Sequence, residues 1–221
     1  MVELQLRRRG IVDETVLAAM GTVPRELFVS PHLAESAYAD EALPIAAGQT
    51  ISQPYMVASM VELIAPRKGL RVLEVGTGSG YGAAILTAAG CDVLSIERHA
   101  ELAAAARERL AGLGMSDRTT VVVADGSIGA PGEAPFDAIV VTAAAPAVPA
   151  ALRDQLAEGG RMVVPVGPRG SQQLVLVIRR GNEFVERDCG PCVFVLLVGA
   201  GGYAEDGPPQ RTWFDRLGLR R

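Results

Sequence analysis

Glu74-Val75-Gly76-Thr77-Gly78-Ser79-Gly80 sets three glycines at alternate positions, directly after the short run Arg71 to Val75 and before the helical pattern Tyr81 to Ala89. Glycines in such a turn let the main chain bend sharply and come close to a ligand, with the N–H groups of the helix start facing it. The dinucleotide-binding fingerprint asks for its third glycine one position beyond Gly80, where this chain has Tyr81. An acidic residue, Glu74, ends the strand instead. Glu97 ends a second strand about 20 residues beyond the glycines, where a carboxylate can accept hydrogen bonds from both hydroxyls of a ribose. Asp125-Gly126 ends a third, where a carboxylate and a turn can hold an adenine edge. The glycines alone leave a plain strand-to-helix turn open, because short glycine motifs misfire. Three acidic strand ends in order, all on the carboxyl edge of one sheet, favour a bound ligand.

Other residues able to do chemistry are few. Ser52 sits in a loop, where a lone hydroxyl usually bonds its own backbone. No G-x-S-x-G elbow surrounds it, so a Ser/His/Asp hydrolase is excluded. His32 and His99 lie far apart without ligand-like spacing, and no metal is expected. Cys189-Gly190-Pro191-Cys192 matches the dithiol motif of thioredoxins. That chemistry needs a helix starting at the first cysteine to lower its pKa. A β-like run, Val193 to Val198, follows here, so a structural turn is the expectation. Cys91 reads as a small buried apolar residue.

These residues need a scaffold, and the pattern supplies one. Asp13 can cap a helix running to Met20 and stopped by Gly21, and Pro24 to Leu33 reads as a second helical piece interrupted by Pro31. Leu43 to Pro54 reads as an ordered loop, a length that is often functional inside a domain. Met56 to Ile64 has helical spacing. Strands are expected at 71–75, 92–96, 120–124 and 136–141, alternating with helices at 81–89, 100–113 and 149–156. Strands at 161–166, 174–178 and 193–198 follow without helices between them. The predicted fold is α/β: a doubly wound, mostly parallel sheet with an N-terminal helical and loop extension and an antiparallel C-terminal edge. One domain spans 1–221, divided into the helical and substrate-loop region 1–66, the α/β core 67–203 and a polar tail 204–221 with Pro208-Pro209.

Composition bounds the function. The chain of 221 residues is 49% hydrophobic but only 5% aromatic, which suits a tightly packed α/β domain. A formal charge of -4 shows no basic footprint for nucleic acid, and Arg7-Arg8-Arg9 and Arg220-Arg221 read as solvated charge. No run reaches the roughly 18 apolar residues of a membrane span. Three cysteines do not form a secreted disulfide framework. A cytoplasmic monomer is expected.

The E-x-G-x-G-x-G pattern resembles that of class I methyltransferases, whose ligand carries a sulfonium and a carboxylate in place of a pyrophosphate. A second segment is more specific. Gly48-Gln49-Thr50-Ile51-Ser52-Gln53-Pro54-Tyr55 closely resembles the signature loop of protein-L-isoaspartate O-methyltransferases. The resemblance extends over most of residues 10 to 199. It includes Val23-Pro24-Arg25-Glu26-Leu27-Phe28-Val29, Ala37-Tyr38-Ala39-Asp40, Ser95-Ile96-Glu97-Arg98, Val141-Thr142-Ala143-Ala144-Ala145-Pro146 and Val164-Pro165-Val166-Gly167. It implies S-adenosylmethionine as cofactor, held by Glu74, Gly76, Thr77, Gly78, Gly80, Glu97, Asp125, Gly126 and Thr142. It implies Ser52 as the active-site serine beside the substrate carboxylate and the donor methyl. Thr50, Ile51, Ala143 and Ala144 would line the peptide pocket, and Leu197 and Val198 would offer backbone groups to the substrate chain. The partners implied are damaged proteins and peptides bearing isoaspartate. Leu196 departs from the family, which often has proline there, and so bears on the shape of the C-terminal wall.

The implied chemistry fits the shortage of catalytic side chains. A carboxyl group with a pKa of about 3 to 4 is already ionised at neutral pH, so methyl transfer to it needs no general base. Positioning and desolvation would do most of the work, with Ser52 an orienting donor. Three alternatives stand beside this reading: a same-fold methyltransferase of aspartate in a dedicated partner peptide, a thiol-disulfide protein using Cys189 and Cys192, and a cofactor-binding protein without catalysis.

Overall fold

The computed structural model describes residues 1–205. Its first 64 residues are short helical pieces folded over one face of a sheet. Asp13 caps α1 (Glu14–Thr22), its Oδ1 accepting from Thr15 N at 2.8 Å and Val16 N at 3.1 Å. The helix runs through Gly21 rather than stopping there. The expected second helical piece is two separate 3-10 turns, Arg25–Phe28 and Pro31–Ser36, because Pro31 starts a new turn instead of continuing the first. Within the expected loop lies a small antiparallel ladder of β1 (Leu43–Pro44) and β2 (Thr50–Ile51), and α2 (Pro54–Leu63) follows with proline at its first position, where a missing N–H costs nothing.

From residue 71 the strands and helices alternate: β3 (Arg71–Val75), α3 (Tyr81–Ala88), β4 (Asp92–Glu97), α4 (Ala100–Gly112), β5 (Thr119–Val123), β6 (Phe136–Val141) and α5 (Ala150–Arg153). Then β7 (Leu156–Val166), β8 (Gln172–Arg180) and β9 (Glu183–Cys192) follow as consecutive antiparallel neighbours. The sheet order is β5-β4-β3-β6-β7-β8-β9, parallel from β5 to β7. The chain reverses its direction of winding between β3 and β6, and open α/β sheets bind ligands at that switch point. Side chains alternate between two cores. Ala138 and Val140 of β6 pack with the N-terminal helices and α3, and Ile139 and Val141 pack with Leu152, Met162 and Val164 on the other face.

Three expectations are corrected. Helix α5 ends at Arg153, and Leu156 already pairs with Phe136 as a strand, so the Gly159-Gly160 stretch is absorbed as a bulge in β7. The last strand among the described residues is Glu183–Cys192 and not Val193–Val198. Its charged sequence hides it because an edge strand buries little, yet the two-residue Gly181-Asn182 link between the paired Arg180 and Glu183 is a hairpin signal. Arg7 and Arg9 are also not merely solvated. Arg7 donates to Glu3 and Glu14, and Arg9 pairs with Asp40 and lies over the Tyr55 ring. Arg220-Arg221 and most of the expected tail lie outside the described residues. No helix among those described is long and apolar enough to cross a membrane.

Candidate active site

A cavity opens at the carboxyl ends of β3, β4 and β6. The glycine turn forms its floor. Gly76 N and Thr77 N both donate to Ile96 O, at 2.8 and 3.3 Å, which ties the turn to the end of β4. Gly76 has a φ of 95°, a left-handed conformation that glycine adopts without cost. It has no room for a side chain either, since a Cβ there would lie 2.3 Å from Thr142 Oγ1. That hydroxyl donates to Gly76 O at 2.6 Å and Val75 O at 3.0 Å, so Thr142 pins the turn from β6.

Glu74 lies beneath this floor, 1% exposed. It stands opposite Ser95 in the parallel β3–β4 register, and Ser95 Oγ donates to its Oε2 at 2.5 Å. Thr77 Oγ1 is 2.5 Å from the same Ser95 hydroxyl. Burial pushes the Glu74 carboxyl up to about 8, against the opposing effect of the Ser95 bond, and the nearby Glu97 charge adds to the rise. The other oxygen, Oε1, occupies the space a Cβ on Gly82 would need, at 2.3 Å. Ser95 and Gly82 were not singled out from sequence. The signals were a hydroxyl in the middle of a buried strand, level with an acid, and a glycine in the first turn of a helix.

Glu97 presents its carboxylate at the cavity edge, with Oε2 accepting from Gly78 N and Oε1 from His99 N, each at 2.9 Å. Each carboxylate oxygen has a second lone pair, so both remain able to accept from a ligand hydroxyl. Asp125 stands apart from the other predicted ligands. Its backbone neighbour Gly126 lines the cavity, but its carboxylate does not. Oδ1 accepts from Ser127 N and Oγ at 2.9 and 2.6 Å, and Oδ2 accepts from Ala200 N at 2.8 Å. Burial opposes ionisation here, but the bonds from Ser127 and Ala200, with Arg98 nearby, hold the carboxyl below its ordinary range. The Asp125 side chain therefore staples the C-terminal segment to the β5 turn. Gly199 is glycine because a Cβ would meet Asp125 Oδ1 at 2.1 Å.

Thr50, Ile51 and Ser52 line the same cavity from one side, with Ala143, Val195, Leu197 and Val198 from another. Ser52 Oγ makes no hydrogen bond among the described residues, so the self-bonded loop hydroxyl is not what is found. Ala144 is fully buried and does not line the cavity. Its N–H donates to Val195 O at 2.7 Å and its carbonyl accepts from Leu197 N at 2.8 Å. The Leu197 carbonyl accepts from Tyr203 N at 2.7 Å. Both backbone groups of Leu197 are thus engaged within the chain, contrary to expectation. Extended pairing alternates, so the residues whose backbone groups carry no internal bond among the described residues are Leu196 and Val198.

The sites excluded from sequence also resolve. Cys189 and Cys192 lie in β9 on either side of a bulge at Gly190, whose φ is 104° and whose N–H donates to Asp188 Oδ1 at 2.7 Å, and not at a helix start. Cys192 is buried and its thiol is pushed up to about 11 by burial, with Asp188 adding to the rise. That is the opposite of what thiol-disulfide exchange requires. His32 and His99 belong to no group of metal-ligating residues among those described.

The raised Glu74 pKa predicts a pH dependence. Its folded value of about 8 exceeds the ordinary 4.5, so the native state retains a proton that the unfolded chain releases between these values. Stability contributed at this site is therefore highest below pH 4.5 and is lost as pH rises to 8. At about 1.4 kcal/mol per pKa unit the loss amounts to a few kcal/mol. Urea unfolding at pH 5 and pH 8.5 should show a larger drop in the parent than in Glu74→Gln. Equal drops would refute a buried, protonated Glu74.

The family model described as protein-L-isoaspartate(D-aspartate) O-methyltransferase matches residues 1–202. A protein-L-isoaspartate O-methyltransferase of Methylorubrum populi is 58% identical over 206 residues, which cover 91% of this chain and 96% of the relative. One of Methanoculleus marisnigri is 52% identical over 209 residues, covering 95% and 94%. A solved protein-L-isoaspartate O-methyltransferase structure superposes with a TM-score of 0.80 at 29% identity, covering 89% of this chain and 64% of its own. A Plasmodium falciparum structure in complex with S-adenosyl-L-homocysteine gives a TM-score of 0.73 at 27% identity, covering 87% and 94%.

Proposed function

The chain belongs to the protein-L-isoaspartate(D-aspartate) O-methyltransferase family, and we infer from this that it transfers the methyl group of S-adenosylmethionine to the free α-carboxylate of isoaspartyl residues in damaged proteins and peptides. The observation that carries the reading is the shared cavity: the Ser52 loop and the Gly76–Gly78 turn line one continuous space, so donor and acceptor can meet in it. The residues present fit the cofactor. Gly78, at φ 54°, lines the cavity without a side chain and lets the turn approach a ligand, Glu97 keeps two acceptor sites for ribose hydroxyls, and the Glu74 carboxyl lies buried beneath the turn.

When bound, S-adenosylmethionine supplies an electrophilic methyl carbon. The protein's own part is to hold and dry the nucleophile. Ser52 Oγ, without an internal bond among the described residues, is available to donate to one carboxylate oxygen and so leave the other aimed at the methyl. The buried apolar wall of Val57, Val61 and Leu197 withholds water from that carboxylate, which raises its reactivity. The backbone N–H and C=O groups of Leu196 and Val198 form an edge to which an extended peptide can pair, a recognition mode that reads main chain and so tolerates varied flanking residues. Methyl transfer needs no proton removed, so no base is assigned. We further read the enzyme as a cytoplasmic monomer acting on protein and not on nucleic acid, and the net charge of -4 supports the latter.

The test uses labelled S-adenosylmethionine with matched isoaspartyl and aspartyl peptides. Base-labile label is expected on the isoaspartyl peptide alone, and Ser52→Ala should lower kcat/KM for it by about 100-fold, the scale of one lost orienting donor in a closed site. Cofactor affinity should stay within twofold. Label on neither peptide, with cofactor binding intact, would refute general repair and point to a dedicated partner peptide.

A further inference from the structure

Asp40 joins segments that are far apart in sequence. Its Oδ2 accepts from Arg9, whose guanidinium lies over the Tyr55 ring 3.6 Å from the centroid. Its backbone carbonyl accepts from Gln53 Nε2 at 2.9 Å. Gln53 follows Ser52 and caps α2, and this is the one side-chain hydrogen bond of the Ser52-Gln53 step among the described residues. Asp40 Oδ1 is buried without a hydrogen-bond partner among those residues.

Three residues earlier, Ala37 O accepts from Arg25 Nε at 2.6 Å. Arg25 is 0% exposed, and its guanidinium lies 4.8 Å from the centroid of the Tyr81 ring, at the start of α3. Both of its terminal nitrogens lack hydrogen-bond partners among the described residues. A buried cation with two idle nitrogens is costly, and burial pushes the Arg25 pKa down while the Tyr81 beside it opposes the shift. Arg9, Arg25, Asp40 and Gln53 all lie outside the lining of the cavity. Their effect on the reaction must pass through the loop that does line it.

We propose that Asp40 is a positioning residue for the Ser52 loop: its carboxylate is held by Arg9 and its backbone carbonyl holds Gln53, which sets where Ser52 stands in the cavity. This rests on the reading of Ser52 as the substrate-side donor. Asp40→Asn keeps the shape but removes the charge and turns an amide towards Arg9, while Gln53→Met removes the tether directly. The glycine turn and Glu97 are untouched in both, so cofactor binding separates the positioning role from general damage to the fold.

The experiment measures kcat and KM for an isoaspartyl peptide, and the affinity and stoichiometry of S-adenosylmethionine binding by calorimetry, in the parent, Asp40→Asn, Gln53→Met and Ser52→Ala. Both loop variants are expected to lose about tenfold in kcat/KM, chiefly in kcat, because a displacement well below 1 Å suffices for that loss. Cofactor affinity and stoichiometry should stay within twofold of the parent. The proposal is overturned if both variants keep kcat/KM within twofold, or if cofactor affinity falls in step with activity. Should Asp40→Asn fail to fold, Gln53→Met decides by the same two criteria. If Ser52→Ala is also unimpaired, the reading of Ser52 fails; if Ser52→Ala alone is impaired, only the positioning role does.

Discussion

Gly76→Ala is expected to abolish measurable cofactor binding and to destabilise the protein by several kcal/mol. Two separate costs add at this residue. The backbone stands at φ 95°, and a left-handed conformation costs an L-residue about 1 to 2 kcal/mol. The new methyl would lie 2.3 Å from Thr142 Oγ1, so either the turn or the threonine must move by about an ångström to reach ordinary contact. Moving the threonine breaks the hydrogen bond that its one hydroxyl proton shares between Gly76 O and Val75 O, worth about 1 kcal/mol. Moving the turn carries the Gly78 N–H away from Glu97. Thermal unfolding and calorimetric titration with S-adenosylmethionine would measure both effects. The double variant Gly76→Ala with Thr142→Ala separates them, since it relieves the contact but not the backbone strain. Partial recovery of stability in the double variant is the expected result. If the double variant is no more stable than the single one, the collision with Thr142 is not the cause.

Glu97→Ala should weaken S-adenosylmethionine at least about 100-fold while leaving the fold intact. The carboxylate accepts from Gly78 N and His99 N, so its loss frees the middle of the glycine turn and the residue before α4. Those amides lie at the cavity edge, where water can replace a lost acceptor, and the structural penalty is therefore modest. The ligand penalty is larger. Two charge-assisted bonds to ribose hydroxyls at about 1.5 kcal/mol each amount to roughly a hundredfold in affinity. Glu97→Gln retains one acceptor oxygen and should fall between the parent and Glu97→Ala. Because the loss concerns the ribose, S-adenosylhomocysteine should weaken by the same factor as S-adenosylmethionine. A variant that discriminated between the two ligands would place Glu97 near the sulfur instead, and an affinity within threefold of the parent would remove it from the site.

Much of this architecture is written locally. The strand β3, the glycine turn and α3 follow from consecutive residues, because a buried five-residue strand, alternate glycines and an apolar helix are each specified within a few positions. The acids at 74 and 97 fall at the carboxyl edge for the same reason: parallel strands of similar length with helical returns all end on one side. The Ser52 loop was legible as a motif and faces the cavity, although the ladder of β1 and β2 that shapes it was not, since two-residue strands carry no period.

What local pattern left undecided was settled by contacts between distant segments. Asp125 reads as a ligand because it ends a strand, and the fold adds a bond to its carboxylate from Ala200, 75 positions on, and keeps it out of the cavity lining. Leu197 and Val198 read as equivalent neighbours, but pairing to Ala144 and Tyr203 engages the backbone of Leu197 alone. Strand β9 looks too charged to be a strand and forms because β8 offers it a partner, and the turn expected at Cys189 to Cys192 is a bulge within that strand. The identity of the core elements from β3 to β6, the edge of the sheet at which a ligand binds and the family-specific loop were determined by sequence alone, because propensity and spacing act over a few residues. Which carboxylates and backbone groups remain free to meet a ligand was decided only by the tertiary structure. A hydrogen-bonding group is available only if no distant partner has taken it, and that pairing is a property of the folded chain.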